Sequence, residues 1–249
     1  MARTIRDVTF ALDCAVGPDP KDIRSLPMPE ASWSRSLEEL GAPRRIGWSP
    51  TLGYAQVDAE VRAICEAALD TLAELGTEIV EIDPVFDEDP VRSWLALSMT
   101  SNLRVVDRYR DTDDWTRLDP GHATMMEAFG APTSGLDVLG AIDECHRLNL
   151  RLVEVFHDVP VFCTPTVGGQ TGPIGEHGTV DGVPAPFWIS CTYPFNMTRS
   201  PAGTVCAGFT ESGLPVGLQV IGPQHGDVVV LRAIAVLEDA LGFERMAPL

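Results

Sequence analysis

Lysine is almost missing from this chain: Lys21 stands alone beside seventeen arginines in 249 residues. Any mechanism that needs a lysine must therefore use Lys21 or draw on a residue from outside the chain. Positive charge of either kind is scarce, with 18 Lys+Arg against 36 Asp+Glu and a formal net charge of −18. A field of that sign repels phosphate backbones and anionic bilayer surfaces, which argues against nucleic acid or membrane as a partner. Adjacent serines are absent, and so are a G-x-S-x-G elbow, an H-E-x-x-H helix, a phosphate-binding glycine loop and a dinucleotide fingerprint. No nucleotide cofactor is expected.

Cysteine is present in six copies but never as C-x-x-C or in a tight cluster. Scattered thiols in a chain of this length point to reduced, mostly buried cysteines in a cytoplasmic protein. Of the five histidines, His146 and His157 share a helix pattern eleven residues apart, which suits surface histidines better than metal ligands. Glu176–His177 in a glycine-rich stretch reads as a polar loop tip, and runs such as Asp87-Glu88-Asp89 as solvated surface. No metal is expected. Long apolar runs of the roughly 18–20 residues that a membrane span requires are missing, and the opening MARTIRDVTFALD interleaves charges with its apolar residues, unlike a signal peptide.

Ordinary globular material makes up the rest, 45% hydrophobic and 22% charged, enough to build a core. Residues 5–16 have helical spacing, and 17–31 form a Pro/Asp-rich loop. RRIGW at 44–48 reads as a strand. A helix follows from Asp58, its natural cap, to Gly76, and TEIVEID at 77–83 alternates as a strand. Strand, helix, strand predicts a parallel pair with the helix on one face. Residues 90–131 are mainly helical, with breaks near 111–114 and 120–121. Ser134 and Asp137 open a second long helix as a capping pair. Residues 159–167 form an apolar strand, 168–186 a long Gly/Pro-rich loop of the kind that binds or covers ligands, 202–208 and 214–221 two strands joined by FTESG, and 227–241 a last helix stopped by Gly242. The fold class is α/β, a mixed β-sheet flanked by helices.

The stretch YPFNMTRSPAGTVCAGFTESGLPVGLQVIGP, residues 193–223, is specific. Its Asn196, Pro201-Ala202, Gly208 and the run Gly213-Leu214-Pro215-Val216-Gly217-Leu218-Gln219 resemble, in order, the C-terminal segment of the amidase signature family. CTPTV at 163–167, RRIGWSPTLG with the Asp58 helix, and residues 1–27 continue the resemblance upstream, so it covers nearly all of the chain and about the C-terminal half of a family member. It implies a partial amidase signature fold, with 1–249 as the single C-terminal portion of an amidase domain: a helix-and-loop lead-in over 1–43 and an α/β core over 44–249. It also implies a Ser–Ser–Lys mechanism on small carboxamides, in which a lysine relays protons through a bridging serine to a nucleophilic serine. None of the three matches a position here, so no catalytic residue is assigned. Lys21 lies in a Pro/Asp loop.

Within the match, Arg199 replaces a common glycine and Cys206-Ala207 replace a common proline step. Ile189 stands near the place where the family's tRNA amidotransferase members carry an aspartate, which favours a general amidase over an amidotransferase A-like fragment. Trp188, Thr192 and Asn196 are the candidates for substrate binding. The partners implied are a small amide substrate and either an N-terminal half or a second copy of the chain. A split enzyme, a non-catalytic or binding protein that kept half the fold, and a truncated or decayed product all remain open at this stage. If the sheet is shared with another half, its neighbouring strands are expected closest to Gly217–Gln219 and residues 159–163.

Overall fold

The computed structural model describes residues 1–38, 41 and 43–243. The chain opens with α1 (Ile5–Ala15), whose first turn is capped by the Thr4 hydroxyl accepting from the Asp7 amide, and a single turn α2 (Trp33–Ser36) follows the Pro/Asp loop. Strand β1 (Arg45–Trp48), helix α3 (Ala59–Glu74) and strand β2 (Glu78–Glu81) make the expected unit of strand, crossover and parallel strand, in register from Arg45 opposite Glu78 to Trp48 opposite Glu81. Helix α4 (Val91–Val106), two 3₁₀ turns and α5 (Pro120–Met125), which runs on into a π-turn at Met126–Gly130, fill the next stretch. Pro120, expected as a break, instead starts α5, where its missing amide hydrogen costs nothing.

Helix α6 (Gly135–Asp158) carries the predicted capping box, with Ser134 and Asp137 each bonding the other's backbone. After β3 (Phe162–Pro165), the Gly/Pro-rich loop forms a small hairpin of β4 (Thr179–Val180) and β5 (Val183–Pro184). Then come α7 (Tyr193–Thr198), β6 (Ala202–Phe209), β7 (Pro215–Ile221) and α8 (Asp227–Leu241).

The five strands of the main sheet lie in the order β2-β1-β3-β7-β6. The first three are parallel; β7 runs antiparallel to β3, and β6 antiparallel to β7 with a bulge between Cys206 and Gly208. This is the mixed sheet expected from the sequence. Alternation sends Val161, Cys163, Val205, Val216, Leu218 and Val220 to one face, where they pack on α3 and α8 through Val61, Cys65, Leu72, Ile234 and Leu237. Ile5 and Leu37 join that cluster, so the 1–43 segment is built into the core rather than leading up to it. On the opposite face, Phe162 and Ile221 pack under Leu148 and Leu152 of α6 and Phe195 and Met197 of α7. Among the described residues no helix is long and apolar enough to cross a membrane.

Two expectations need correction. Residues 193–198, not assigned a helix from sequence, form α7, because Pro194 falls in the first turn, where proline is tolerated. Gly217–Gln219 and residues 159–163 are not at an open edge. Strand β7 is paired on both sides and β3 lies between β1 and β7, so among the described residues the free edges belong to β2 and β6. Within the run G-L-P-V-G-L-Q, Pro215–Gln219 lie in β7, an interior strand between β3 and β6, and Gly213-Leu214 precede it. The expected 44–249 core ends in residues 244–249, which lie outside the described residues.

Candidate functional site

The carboxyl ends of β1, β2 and β3 point the same way, which is where open parallel sheets bind ligands. The loops leaving β1 and β2 deliver polar residues there. The Ser49 and Thr51 hydroxyls donate to the two oxygens of Asp83 at 2.6 and 2.7 Å, and Ser49 Oγ accepts from the Leu52 amide at 3.0 Å. With both its hydrogen-bonding roles filled and no base beyond Asp83 in contact, Ser49 is a structural hydroxyl, not a nucleophile.

Beside this corner the sheet presents two polar rows on the face that α6 and α7 only partly cover. Thr164, Gln219 and Thr204 stand opposite one another across β3, β7 and β6. Thr166, Gly217 and Cys206 form the next row: the Thr166 amide donates to the Gly217 carbonyl at 2.8 Å, and Gly217 is paired with Cys206. Thr166 Oγ1 and Thr204 Oγ1 meet at 3.1 Å across the strand between them. Gly217 makes that contact possible, since a Cβ on it would lie 2.7 Å from both Thr166 Oγ1 and Thr204 Cγ2. The buried Gln219 amide donates to the Cys191 carbonyl at 3.1 Å and ties the loop before α7 to the sheet. The Thr164 and Ser190 hydroxyls are buried without a well-formed hydrogen bond. They lie near the Cys191 thiol, which burial pushes up to about 12 while the two hydroxyls pull weakly the other way. Thr164, Gln219, Ser190 and Cys191 are buried, so the accessible part of this face is Thr204 with the row Thr166, Gly217 and Cys206. These hydroxyls can hold and orient a polar group, but among the described residues of this face there is no lysine or histidine to move a proton.

An aromatic ladder borders the face. Tyr54 stacks with Tyr193 at 6.5 Å between ring centroids, and Tyr193 with Trp94 at 5.1 Å. Tyr54 donates its hydroxyl to the Ser190 carbonyl at 2.8 Å and Tyr193 donates to Asp89 at 2.5 Å. Burial above all raises both phenols well past their ordinary range, so they stay neutral donors. A cavity of 340 Å³ opens beside Tyr54 and Asp89, and one of 790 Å³ lies on the Trp94 side between α4, α6 and α7.

The three residues singled out in the sequence do not converge. Trp188 lines the smaller cavity, packed over Gly178 and Gly169, while its carbonyl accepts from the Gly168 amide at 2.8 Å. Asn196 is exposed on α7 and lines the larger cavity. Thr192 lies between them in the chain, lines neither, and donates its hydroxyl to the Ile189 carbonyl at 2.9 Å. Sequence reasoning missed Tyr54, Trp94 and Tyr193. The one available signal was the placement of Tyr193 at the head of the family-like stretch. Among the described residues no group of three or more His, Cys, Asp or Glu side chains is placed to hold a metal ion.

The chain, whose G-L-P-V-G-L-Q run leads into the interior strand β7 of this sheet, matches a known protein family over most of its length. The model for the family described as Amidase covers residues 1–231, and the chain belongs to the amidase signature family. An acylamidase from Rhodococcus erythropolis is 31% identical over 251 residues, covering 96% of this chain and 51% of the relative. The A-type component of a glutamyl-tRNA(Gln) amidotransferase from Granulibacter bethesdensis is 28% identical, covering 97% of this chain and 53% of the relative. Among solved structures, 6-aminohexanoate cyclic dimer hydrolase superimposes with a TM-score of 0.82 at 21% identity over 97% of this chain and 54% of its own. A bacterial aryl acylamidase superimposes at 0.79 and 20% identity over 96% and 51%. The chain spans about half the length of the relatives it matches.

Proposed function

We propose that this chain is the C-terminal portion of an amidase signature hydrolase that cleaves small carboxamides to acid and amine. In this reading it supplies the central sheet and one wall of the substrate pocket. The nucleophilic serine, the bridging serine and the lysine come from a separate N-terminal half. The observation that carries the reading is the polar face of β3, β7 and β6, which offers hydrogen-bonding groups without a proton-transfer residue. Trp188, Thr192 and Asn196 are retained as substrate contacts within this proposal, Trp188 and Asn196 on opposite sides of the aromatic ladder. The match to an acylamidase at 31% identity supports hydrolysis over transfer to tRNA.

The test is turnover. Purified alone, the chain is expected to release no ammonia or amine from a panel of aliphatic and aryl amides, and to leave a serine-reactive fluorophosphonate unbound. Mixed with the N-terminal half of a related amidase, it is expected to restore turnover. Stoichiometric fluorophosphonate labelling of the isolated chain would refute the assignment of the serines to another half.

A further inference from the structure

The cavity between α4, α6 and α7 has an unusual charge for this molecule. In a chain of net charge −18, the described residues that line it include Arg24 and Arg199 and no carboxylate. Neither arginine makes a side-chain hydrogen bond or ion pair with another group among the described residues. Arg24 is brought to the cavity by the Pro/Asp loop, and Arg199 stands at the carboxyl end of α7.

Arg199 occupies this place against its backbone preference. Its φ and ψ are 55° and 29°, the left-handed region where a Cβ is disfavoured and glycine is the natural residue. A non-glycine residue held in such a conformation is a pointer to function when its side chain faces a cavity. The rest of the lining suits an organic ligand. Trp94 stacks on Tyr193 and presents an indole to the cavity, Ser98 and Asn149 supply neutral hydrogen-bonding groups, and the volume of 790 Å³ is that of a small-molecule site.

We infer that this cavity binds an organic monocarboxylate with an aromatic or short apolar body, its carboxylate held by Arg199 and Arg24 and its body against Trp94. Planar guanidinium groups pair with carboxylates through two parallel hydrogen bonds, which a neutral amide of the same shape cannot reproduce. The cavity also holds Asn196, one of the proposed amide contacts, so the inference rests on that reading of this face and adds the chemical class of ligand it takes. Its test reads binding alone and so stands or falls apart from the assignment of the catalytic half.

Benzoate and its neutral isostere benzamide are titrated into the full chain by calorimetry, with ligand-detected NMR as a second readout. Benzoate is expected to bind at least about tenfold more tightly than benzamide, the difference that charge-assisted bonds supply. Arg199→Gly removes the charge and relieves the backbone, so it is expected to weaken benzoate at least about tenfold while leaving the thermal midpoint unchanged or raised. Arg24→Gln, on an exposed loop where folding is not at issue, is expected to weaken benzoate as well. Equal affinity for benzoate and benzamide, full benzoate affinity in both arginine variants, or displacement of benzoate by equimolar inorganic phosphate would each overturn the inference.

Discussion

Gly217 shows how closely a single residue is specified on an interior strand of the sheet. It sits in β7 between Thr166 and Thr204, whose hydroxyls meet over it at 3.1 Å. Replacing it with alanine places a methyl group 2.7 Å from Thr166 Oγ1 and Thr204 Cγ2, a separation that forces one of these side chains to turn or its strand to shift. We expect Gly217→Ala to destabilise the chain by about 2 kcal/mol, the usual cost of overpacking a fitted position. Gly140 is the contrast. It lies exposed in α6, and a methyl group added there would meet nothing within 4 Å, so Gly140→Ala should stabilise by about 0.5–1 kcal/mol through helix propensity. Thermal unfolding of the two variants measures both, and a Gly217→Ala midpoint equal to wild type would show that the threonine pair yields freely. The sequence pattern picks out Gly217 as part of a family-like run. What it cannot display is the pair of threonines, one 51 residues earlier and one 13 residues earlier, that make the site narrow. Arg199 is visible as a departure from glycine in the same way, but its left-handed backbone, which gives the departure meaning, exists only in three dimensions.

At the scale of elements, two aspartates fasten irregular segments to helices. Asp58 is 4% exposed and caps α3 by accepting from the Glu60 and Val61 amides. It also accepts from the Asp181 amide at 2.8 Å, while Asp181 accepts from the Ala59 amide at 2.9 Å, so the Gly/Pro-rich loop and the helix start hold each other. Asp58→Ala should cost about 2 kcal/mol, a lost cap plus a buried amide left unpaired. Limited proteolysis should then cut within residues 168–186 faster than in wild type; an unchanged cleavage rate would mean that the loop is held elsewhere.

Asp13 performs the same task for α2, accepting from the Ser32 hydroxyl and the Trp33 and Ser34 amides at 2.7–2.9 Å. Desolvation works against its ionisation, but the bonds from Ser34, Ser32 and Trp33 prevail and hold the carboxyl at about 2. Its folded pKa lies below the unfolded value near 3.9, so its contribution is fully present above about pH 4 and is lost as pH falls through about 2. Asp13→Asn should therefore lower stability by about 1 kcal/mol at neutral pH, a figure reduced by the site's exposure, and the gap to wild type should close towards pH 2. Denaturant titrations of both proteins across that range check the sign. Helices with local signals are legible from sequence: the Asp58 cap, the Ser134–Asp137 box and the Gly242 stop all appear where expected. Sheet order is not, because placing β7 between β3 and β6 depends on contacts some fifty residues apart, and this is why the free edge was expected on the wrong strands.

For the whole molecule, the two free edges differ in a way that indicates where a second half of the fold would join. Strand β2 is four residues long and carries Glu78 and Glu81, with Arg45 of β1 paired to Glu78 at 3.5 Å. Short, charged strands of this kind protect an edge. Strand β6 is eight residues long and reads AGTVCAGF, with no charge and no proline. Its outer rim runs beside a 240 Å³ cavity bounded by Thr4, Ile5, Ile234 and Phe243, so the edge is recessed rather than capped. An unprotected strand of that length is a template for another strand, and its backbone groups lie next to the polar rows of the candidate site. We therefore expect an N-terminal half from a related amidase to pair along β6, which would bring its catalytic serines to the face formed by Thr166, Gly217 and Cys206. Hydrogen exchange read residue by residue tests this directly. In the isolated chain, the outward-facing amides of β6 should exchange quickly, and after complex formation they should slow by at least about tenfold while those of β2 stay unchanged. Size exclusion should show a heterodimer, with a higher unfolding midpoint than either half. Protection appearing on β2 instead would place the partner at the wrong edge for this reading, and a monodisperse chain that ignores the partner would favour a binding protein that kept half the fold.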